Sequence, residues 1–146
     1  MPAKGWKYQR RKVKQITSSS ACTSASRLIP SLRSIAATLN AAERVVILAG
    51  GGIRGAETHL QKLAESLDAP VILTTNARGA MHGHRLAVPA SASLTSVRKF
   101  ITDADQILAI GTELGPTDYD VYANGRVPNL SEMIRIDICA DQLARH

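Results

Sequence analysis

Cysteine, aromatic residues and long apolar runs are all scarce in this sequence of 146 residues. It has only two cysteines, Cys22 and Cys139, which exclude a disulfide framework and favour a reduced, cytoplasmic setting. Because no run of about 18 apolar residues occurs, we expect no membrane-spanning helix. The basic N-terminus has no apolar stretch behind it, so it is not predicted to be a secretory signal. Small aliphatic side chains dominate instead, as in a parallel sheet covered by helices.

Recognisable catalytic motifs are missing as well. The sequence has no G-x-S-x-G nucleophile elbow and no Walker A lysine, and neither cysteine lies in a redox or metal motif. His82 and His84 are one residue apart, but no third ligand stands at a useful spacing from them, so we predict no metal site there. The sequence therefore predicts neither catalytic residues nor metal ligands in this chain.

Basic residues exceed acidic ones, giving a formal net charge of +6. Six of the 18 basic residues lie in the first fourteen positions, which contain no acid, so the rest of the chain is formally neutral. The excess charge thus belongs to a tail and not to a folded surface. We expect residues 1–25 to be a basic, then Ser/Thr-rich, disordered tail and linker, and residues 26–146 to be the folded domain. Binding of nucleic acid by the tail is the less favoured alternative.

The apolar pattern from residue 26 onward predicts helices that alternate with buried strands. The predicted helices cover residues 26–40, 55–67 and 94–104, the last with Ser93 as N-cap, and a helical turn begins at 141. The predicted strands cover residues 44–48, 71–74, 106–110 and 133–138, and residues 76–89 are predicted to be a loop. Strands and helices that alternate through short connections imply a parallel sheet with right-handed crossovers. The predicted fold class is therefore α/β, with a Rossmann-like doubly wound parallel sheet.

Three glycines, Gly50, Gly51 and Gly52, follow the first predicted strand directly, and Gly55 completes a G-x-G-x-x-G pattern. In a strand–turn–helix context, glycines let the backbone approach a phosphate while the amides of the first helical turn point at it. The same glycines could instead make a tight turn that lets the helix pack closely on the sheet. The sequence leaves both interpretations open.

A dinucleotide site also needs an acidic residue at the end of the second strand, to hold the ribose hydroxyls. The second predicted strand ends in Thr74, Thr75 and Asn76, and Asp68 lies at its other end. An ordinary NAD site is therefore disfavoured, whereas contact with a phosphate or a flavin stays open.

A second glycine-rich loop, residues 111–115, follows the predicted strand 106–110. In a doubly wound sheet this strand lies beside the first one, so the loops at their carboxyl ends border one crevice. Arg78 follows the end of another strand, and Asp137 lies on the last strand. The predicted cofactor-binding residues are Gly50, Gly51, Gly52, Thr74, Thr75, Arg78, Gly111, Thr112, Glu113 and Asp137.

Several segments match, in order and at family spacing, the pattern of one enzyme family. They are the strand and glycine turn at 42–52, the LAE-x-L-x-A-PV junction at 63–71, the T-x-x-x-x-G loop at 74–79 with 84–86, the AD-x-(V/I)-L-x-(I/L)-G strand at 104–112 and the IDI strand at 136–138. Together they resemble the central domain of thiamine-diphosphate-dependent enzymes, the superfamily of acetolactate synthase, pyruvate oxidase and the 2-oxoacid decarboxylases. The resemblance covers residues 26–145.

The resemblance implies an enzyme of three α/β domains. In the family, the N-terminal domain supplies a glutamate that activates the cofactor, and the C-terminal domain supplies a G-D-G…N motif for Mg²⁺ and diphosphate. Neither feature is present here, so thiamine diphosphate and Mg²⁺ are implied for the family but not as ligands of this domain alone. The central domain is structural in most members, binds FAD in the acetolactate synthase and pyruvate oxidase branches, and binds ADP in the oxalyl-CoA decarboxylase branch.

Two of the chain's departures from the family pattern bear on its function. Residues 112–120 lack the arginine of flavin-binding members, which disfavours FAD, and the chain ends before the family's last central-domain strand. We therefore expect a central-domain fragment that is inactive alone and is completed by the missing N- and C-terminal domains or by further copies of itself. The alternative is a stand-alone Rossmann-like module that binds ADP, FAD or NAD through residues 50–52, Thr74 and residues 111–113.

Overall fold

The structure is a computed structural model that describes residues 28–115, 118 and 133–143. The predicted tail and linker over residues 1–25 lie outside the described residues, as do residues 116, 117 and 119–132. None of the helices in the described part of the chain is long and apolar enough to cross a bilayer.

Five parallel strands form one sheet in the order β3-β2-β1-β4-β5. The strands are β1 (Val45–Ala49), β2 (Val71–Leu73), β3 (Ala87–Val88), β4 (Gln106–Ile110) and β5 (Met133–Ile136). The chain runs outward from β1 to β3 and returns to β4 on the other side of β1, so the order of the strands reverses between β1 and β4. This doubly wound arrangement confirms the predicted fold class.

In the described residues, four helices accompany the sheet: α1 (Leu28–Ala41), α2 (Glu57–Leu67), α3 (Thr95–Thr102) and α4 (Ala140–Leu143). Short 3₁₀ turns, Gly51–Ile53 and Thr75–Ala77, follow β1 and β2. The predicted helices and the four predicted strands are confirmed, with ends that differ by at most two residues. Assignments at element ends commonly vary by that much.

Two local predictions are wrong. The predicted loop 76–89 contains β3, a strand of two residues that is too short to show any alternation of apolar and polar side chains. Ser93 does not cap α3. The N-cap residue is Leu94, whose side chain forms no capping hydrogen bond. The backbone amide of Ser93 instead donates a hydrogen bond to Ser91 Oγ at 3.3 Å.

The central strand β1 is buried at all five positions because both faces of the sheet are covered. Val45, Ile47 and Ala49 belong to a core cluster that includes residues of α1 and α2. Val46 and Leu48 belong to a second cluster on the other face, with Val97 and Ile101 of α3. The continuous apolar run of this strand therefore follows from its central place in the sheet.

The pairing of β1 with β4 positions the two glycine-rich turns that come after these strands. Val45 pairs with Gln106 and Ala49 pairs with Ile110, so the two strands end at the same level. At their amino ends, the carboxylate of Asp105 accepts hydrogen bonds of 2.7 Å from the amides of Glu43 and Arg44. The glycine turn after β1 and the glycine loop after β4 consequently leave the sheet side by side.

Candidate functional site

The two glycine-rich turns at the carboxyl ends of β1 and β4 touch each other. The amide of Gly50 donates to Ile110 O at 2.9 Å, and the amide of Gly52 donates to Gly111 O at 2.9 Å. We predicted that the two turns lie next to each other at one edge of the sheet, after two strands that pair in parallel. The structure confirms this prediction.

The contact between the turns is too close for any side chain. A Cβ atom on Gly50 would overlap Gly111 O, and a Cβ on Gly52 would lie 2.8 Å from Gly111 Cα. Gly111 also has a φ of +54°, a conformation that favours glycine, and its Cβ would lie 2.8 Å from Gly52 Cα. Glycine at these three positions is thus explained by the close approach of the two backbones.

The amides of Gly50, Gly52 and the three residues that follow Gly52 in the glycine fingerprint donate within the protein. Ile53 donates to Gly50 O at 3.2 Å, and Arg54 donates to Gly51 O at 3.4 Å. The amide of Gly55 donates to Glu57 Oε1 at 3.0 Å, so a carboxylate of the chain itself lies at the start of α2. Backbone hydrogen bonds from Glu57 and Gly55 lower the pKa of this carboxyl group from its ordinary value. Of the two interpretations of the glycines, this geometry favours close packing.

The other predicted site residues are spread along the same edge of the sheet. Thr74 and Thr112 are buried, and Thr112 Oγ1 accepts a hydrogen bond from the amide of Leu114 at 3.2 Å. Thr75, Arg78 and Glu113 are exposed. The structure thus brings Gly50, Gly52, Gly111 and Thr112 into contact, and ligand binding by these residues stays a prediction.

Asp137 lies one residue beyond Ile136, whose carbonyl oxygen accepts a hydrogen bond from the amide of Gly111 at 2.9 Å. It follows β5, which lies two places from β1 in the sheet, and its Oδ1 accepts a hydrogen bond from the amide of Cys139 at 2.9 Å. Its observed role is to stabilise the turn into α4.

Sequence reasoning missed Arg135, a half-buried residue of β5. Its Nη2 donates to Thr112 O at 3.0 Å, and its Nη1 donates to Gln142 O in α4 at 2.7 Å. The amide of Gly111 donates to Ile136 O at 2.9 Å in the same region. Arg135 thus holds the loop after β4 against β5 and α4. A charged residue inside the apolar strand Met-Ile-Arg-Ile was the signal that could have identified it.

The histidine pair at 82 and 84 does not converge on a common point. His84 Nε2 lies 3.1 Å from Glu65 Oε1, and its Nδ1 accepts a hydrogen bond from the amide of Leu86 at 3.2 Å. Both ring nitrogens therefore have protein partners, whereas His82 is exposed. Within the described residues, no group of three or more His, Cys, Asp or Glu side chains is placed to hold a metal ion.

Comparison with protein families places most of the chain in one of them. Residues 32–146 match the model of the thiamine pyrophosphate enzyme central domain. The match includes all five strands and both glycine turns.

Two curated relatives are similar over most of this chain. AruI of Pseudomonas aeruginosa, named a probable 2-ketoarginine decarboxylase, is 36% identical over 108 residues, which are 73% of this chain and 19% of AruI. The large subunit of acetolactate synthase isozyme 1 of Escherichia coli is 29% identical over 122 residues, 79% of this chain and 21% of that subunit. The chain therefore spans about a fifth of the length of the curated relatives it matches.

A solved structure shares the fold. It belongs to a Mycobacterium smegmatis protein assigned as a thiamin diphosphate-dependent enzyme, and it matches with a TM-score of 0.60 at 21% identity. The match covers 91% of this chain and 26% of that protein, so the similarity is confined to one part of a longer molecule.

Proposed function

The chain belongs to the thiamine pyrophosphate enzyme central-domain family, and from this premise we propose that it is the structural domain of a larger 2-oxoacid-converting enzyme. That enzyme uses thiamine diphosphate and Mg²⁺ in the cytoplasm. The two catalytic domains come from the rest of the protein, and the described domain is inactive without them. The names of the two curated relatives, a decarboxylase of a keto acid and an acetolactate synthase, support this class of reaction.

The observation that carries the structural role is the bond between Gly52 and Gly111. It joins the turn after β1 to the loop after β4 at the point where Rossmann-like sheets usually admit a ligand. The amides of Gly50, Gly52 and Gly55 each have one hydrogen, and each already donates it within the protein, so these three amides do not offer it to a diphosphate. The contact therefore supports a domain whose glycines stabilise its own sheet.

The described residues do not fit thiamine diphosphate itself. When bound, this cofactor supplies an ylid and an electron sink. A site for this cofactor needs a carboxylate that activates it and ligands for the Mg²⁺ ion that holds its diphosphate. The described part of the chain does not bring a cluster of candidate metal ligands together. We therefore assign the cofactor to the domains outside this chain.

A stand-alone module that binds ADP, FAD or NAD is the alternative. The exposed side chains of Thr75 and Arg78 at the edge of the sheet are the groups that would contact such a nucleotide. Against it, Glu57 lies at the start of α2, where a nucleotide would place its phosphate. The family match also favours a domain of a larger enzyme over a stand-alone module, because this chain spans about a fifth of each curated relative.

Calorimetry on the full chain separates these two functions. ADP, FAD, NAD, and thiamine diphosphate with Mg²⁺ would each be titrated into the protein. The structural domain is expected to bind none of them with submicromolar affinity. Submicromolar binding of a nucleotide would overturn the proposal in favour of the stand-alone module.

A domain exchange tests the structural role directly. The segment of Pseudomonas aeruginosa AruI that matches this chain would be replaced by residues 32–143, and decarboxylation of 2-ketoarginine would be measured. We expect the hybrid to assemble and retain activity, and a second hybrid carrying Gly52→Leu to lose it. A hybrid that assembles to the normal size but is inactive would contradict the proposal.

A further inference from the structure

A cavity of about 360 Å³ lies between the edge strand β3 and helix α3. Its walls are largely apolar: Leu86, Val88, Pro89 and Ala90 on the strand side, and Val97 and Phe100 on the helix side. The volume is within the range of small-molecule sites, at its lower end. An occupant of this cavity would thus be a small organic molecule with a mainly apolar body.

The cavity is separate from the glycine turns. Asp68 and Pro70, which also line it, precede β2, whereas the glycine turns follow the ends of β1 and β4. β3 is the outermost strand on its side of the sheet and lies two places from β1. Ligand binding in the cavity would therefore be a property beyond the proposed structural function.

The edge of β3 is poorly suited to accept an added peptide strand. Leu86 O accepts a hydrogen bond from the amide of Val71 in β2 at 2.8 Å, so by alternation Ala87 and Pro89 direct their backbone groups away from β2. The amide of Ala87 already donates to His84 O at 3.1 Å, and proline has no amide hydrogen. Because strand addition depends on backbone donors at the edge, a compact ligand suits this site better than an extended peptide.

A charged pair, Arg85 and Asp68, is part of the lining of the cavity. Arg85 Nη1 lies 3.1 Å from Asp68 Oδ1, and the Arg85 side chain is 62% exposed whereas that of Asp68 is 26% exposed. Guanidinium has five N–H donors in a planar fork that matches a carboxylate. Arg85 can therefore keep its bond to Asp68 and still bind an anionic group at the mouth of the cavity.

We propose that the β3–α3 cavity binds a small apolar monocarboxylate, with its carboxylate at Arg85 and its apolar body against Val97 and Phe100. A molecule of roughly ten non-hydrogen atoms at ordinary ligand efficiency gives a Kd of about a millimolar. A cationic ligand is disfavoured because the Arg85 side chain is 62% exposed and that of Asp68 only 26%, so the guanidinium is the more accessible of the two charged groups.

Phenylacetate is the probe, titrated into the full 146-residue chain while backbone amide shifts are followed by NMR. We expect saturable shifts at residues that line the cavity, with the uncharged isostere phenylacetamide binding about tenfold more weakly. Arg85→Gln should weaken the binding of phenylacetate by a similar factor and leave the affinity for phenylacetamide unchanged. Equal affinities for the two compounds, or no saturable shifts with phenylacetate, would overturn the proposal.

Two variants, each filling the cavity from one of its opposite walls, test whether phenylacetate binds inside it. Ser96→Phe acts from the helix and Ala90→Leu acts from the strand side, and both should abolish phenylacetate binding. Thr95→Phe is the matched control, since Thr95 is an exposed neighbour of Ser96 that does not line the cavity. Amide spectra without ligand would verify that each variant is folded. Unchanged phenylacetate binding in either folded filling variant would contradict the proposed site.

Discussion

The amide of Gly52 donates a hydrogen bond of 2.9 Å to the carbonyl oxygen of Gly111, across the boundary between the two halves of the sheet. The bond connects residues 59 positions apart in the sequence. Around it, Gly50 and Gly111 approach so closely that neither position has room for a side chain. This contact decides both the stability of the carboxyl edge of the sheet and the role that we propose for the domain.

Replacement of Gly52 by Ala should destabilise the domain strongly. The new Cβ would lie 2.8 Å from Gly111 Cα, which is a backbone atom and cannot move away as the end of a flexible side chain could. We expect a loss of about 1–3 kcal/mol in the free energy of unfolding, measured by urea denaturation. Gly115→Ala is the control, because its Cβ would lie 3.9 Å from the nearest atom and should change stability by less than about 0.5 kcal/mol. Similar losses in the two variants would show that the steric argument is wrong.

Replacement of Arg135 by Met should loosen the loop after β4. The variant keeps most of the apolar stem but loses both hydrogen bonds, to Thr112 O and Gln142 O. Because hydrogen bonds to charged groups contribute about 1.5–3 kcal/mol each, we expect a loss of that order. The free energy of unfolding of Arg135→Lys should lie between that of Arg135→Met and that of the parent chain. One ammonium group cannot reproduce the planar fork of the guanidinium.

Hydrogen exchange gives the local measurement for the Arg135 variants. Exchange should accelerate at residues 111–115 in Arg135→Met, and less in Arg135→Lys. If exchange instead accelerates uniformly over β1, β2 and β4, Arg135 acts on the whole fold and not on this loop.

Replacement of Asp105 by Asn should weaken the amino ends of β1 and β4. The two carboxylate oxygens accept the amides of Glu43 and Arg44 at 2.7 Å each, and an Asn side chain offers only one acceptor. We expect a loss of about 1–3 kcal/mol in the free energy of unfolding. Asp103→Asn is the matched control, because Asp103 forms only an exposed helical pair with Lys99 and should cost about 0.3–0.5 kcal/mol.

The carboxylate of Glu57 should make a pH-dependent contribution to stability. Its pKa in the folded protein is lowered by backbone hydrogen bonds, so it stabilises the fold above its ordinary pKa, and this contribution is lost as the pH falls through the lowered value. The parent chain should therefore be more stable than Glu57→Gln at pH 7, and the difference should shrink on acidification. Urea denaturation of both proteins between pH 7 and pH 3 measures it, and a constant or growing difference would contradict the assignment.

The sequence by itself predicted the α/β class, the alternation of helices with strands of a parallel sheet, and the position of the two glycine turns next to each other. Those features depend on local information: the apolar run of β1, the helical spacing in α2 and the placement of glycines directly after strands. It also carried the family resemblance, which the match over residues 32–146 confirms.

The tertiary structure alone decided what the glycines contact. A glycine turn after a strand has the same local sequence whether its amides face a phosphate or a neighbouring loop, and here the amide of Gly52 faces Gly111. The two-residue strand β3 exists only because Val71 offers it a partner, and the role of Arg135 depends on carbonyls 23 and 7 residues away. These features arise from contacts between distant segments, for which local periodicity contains no signal.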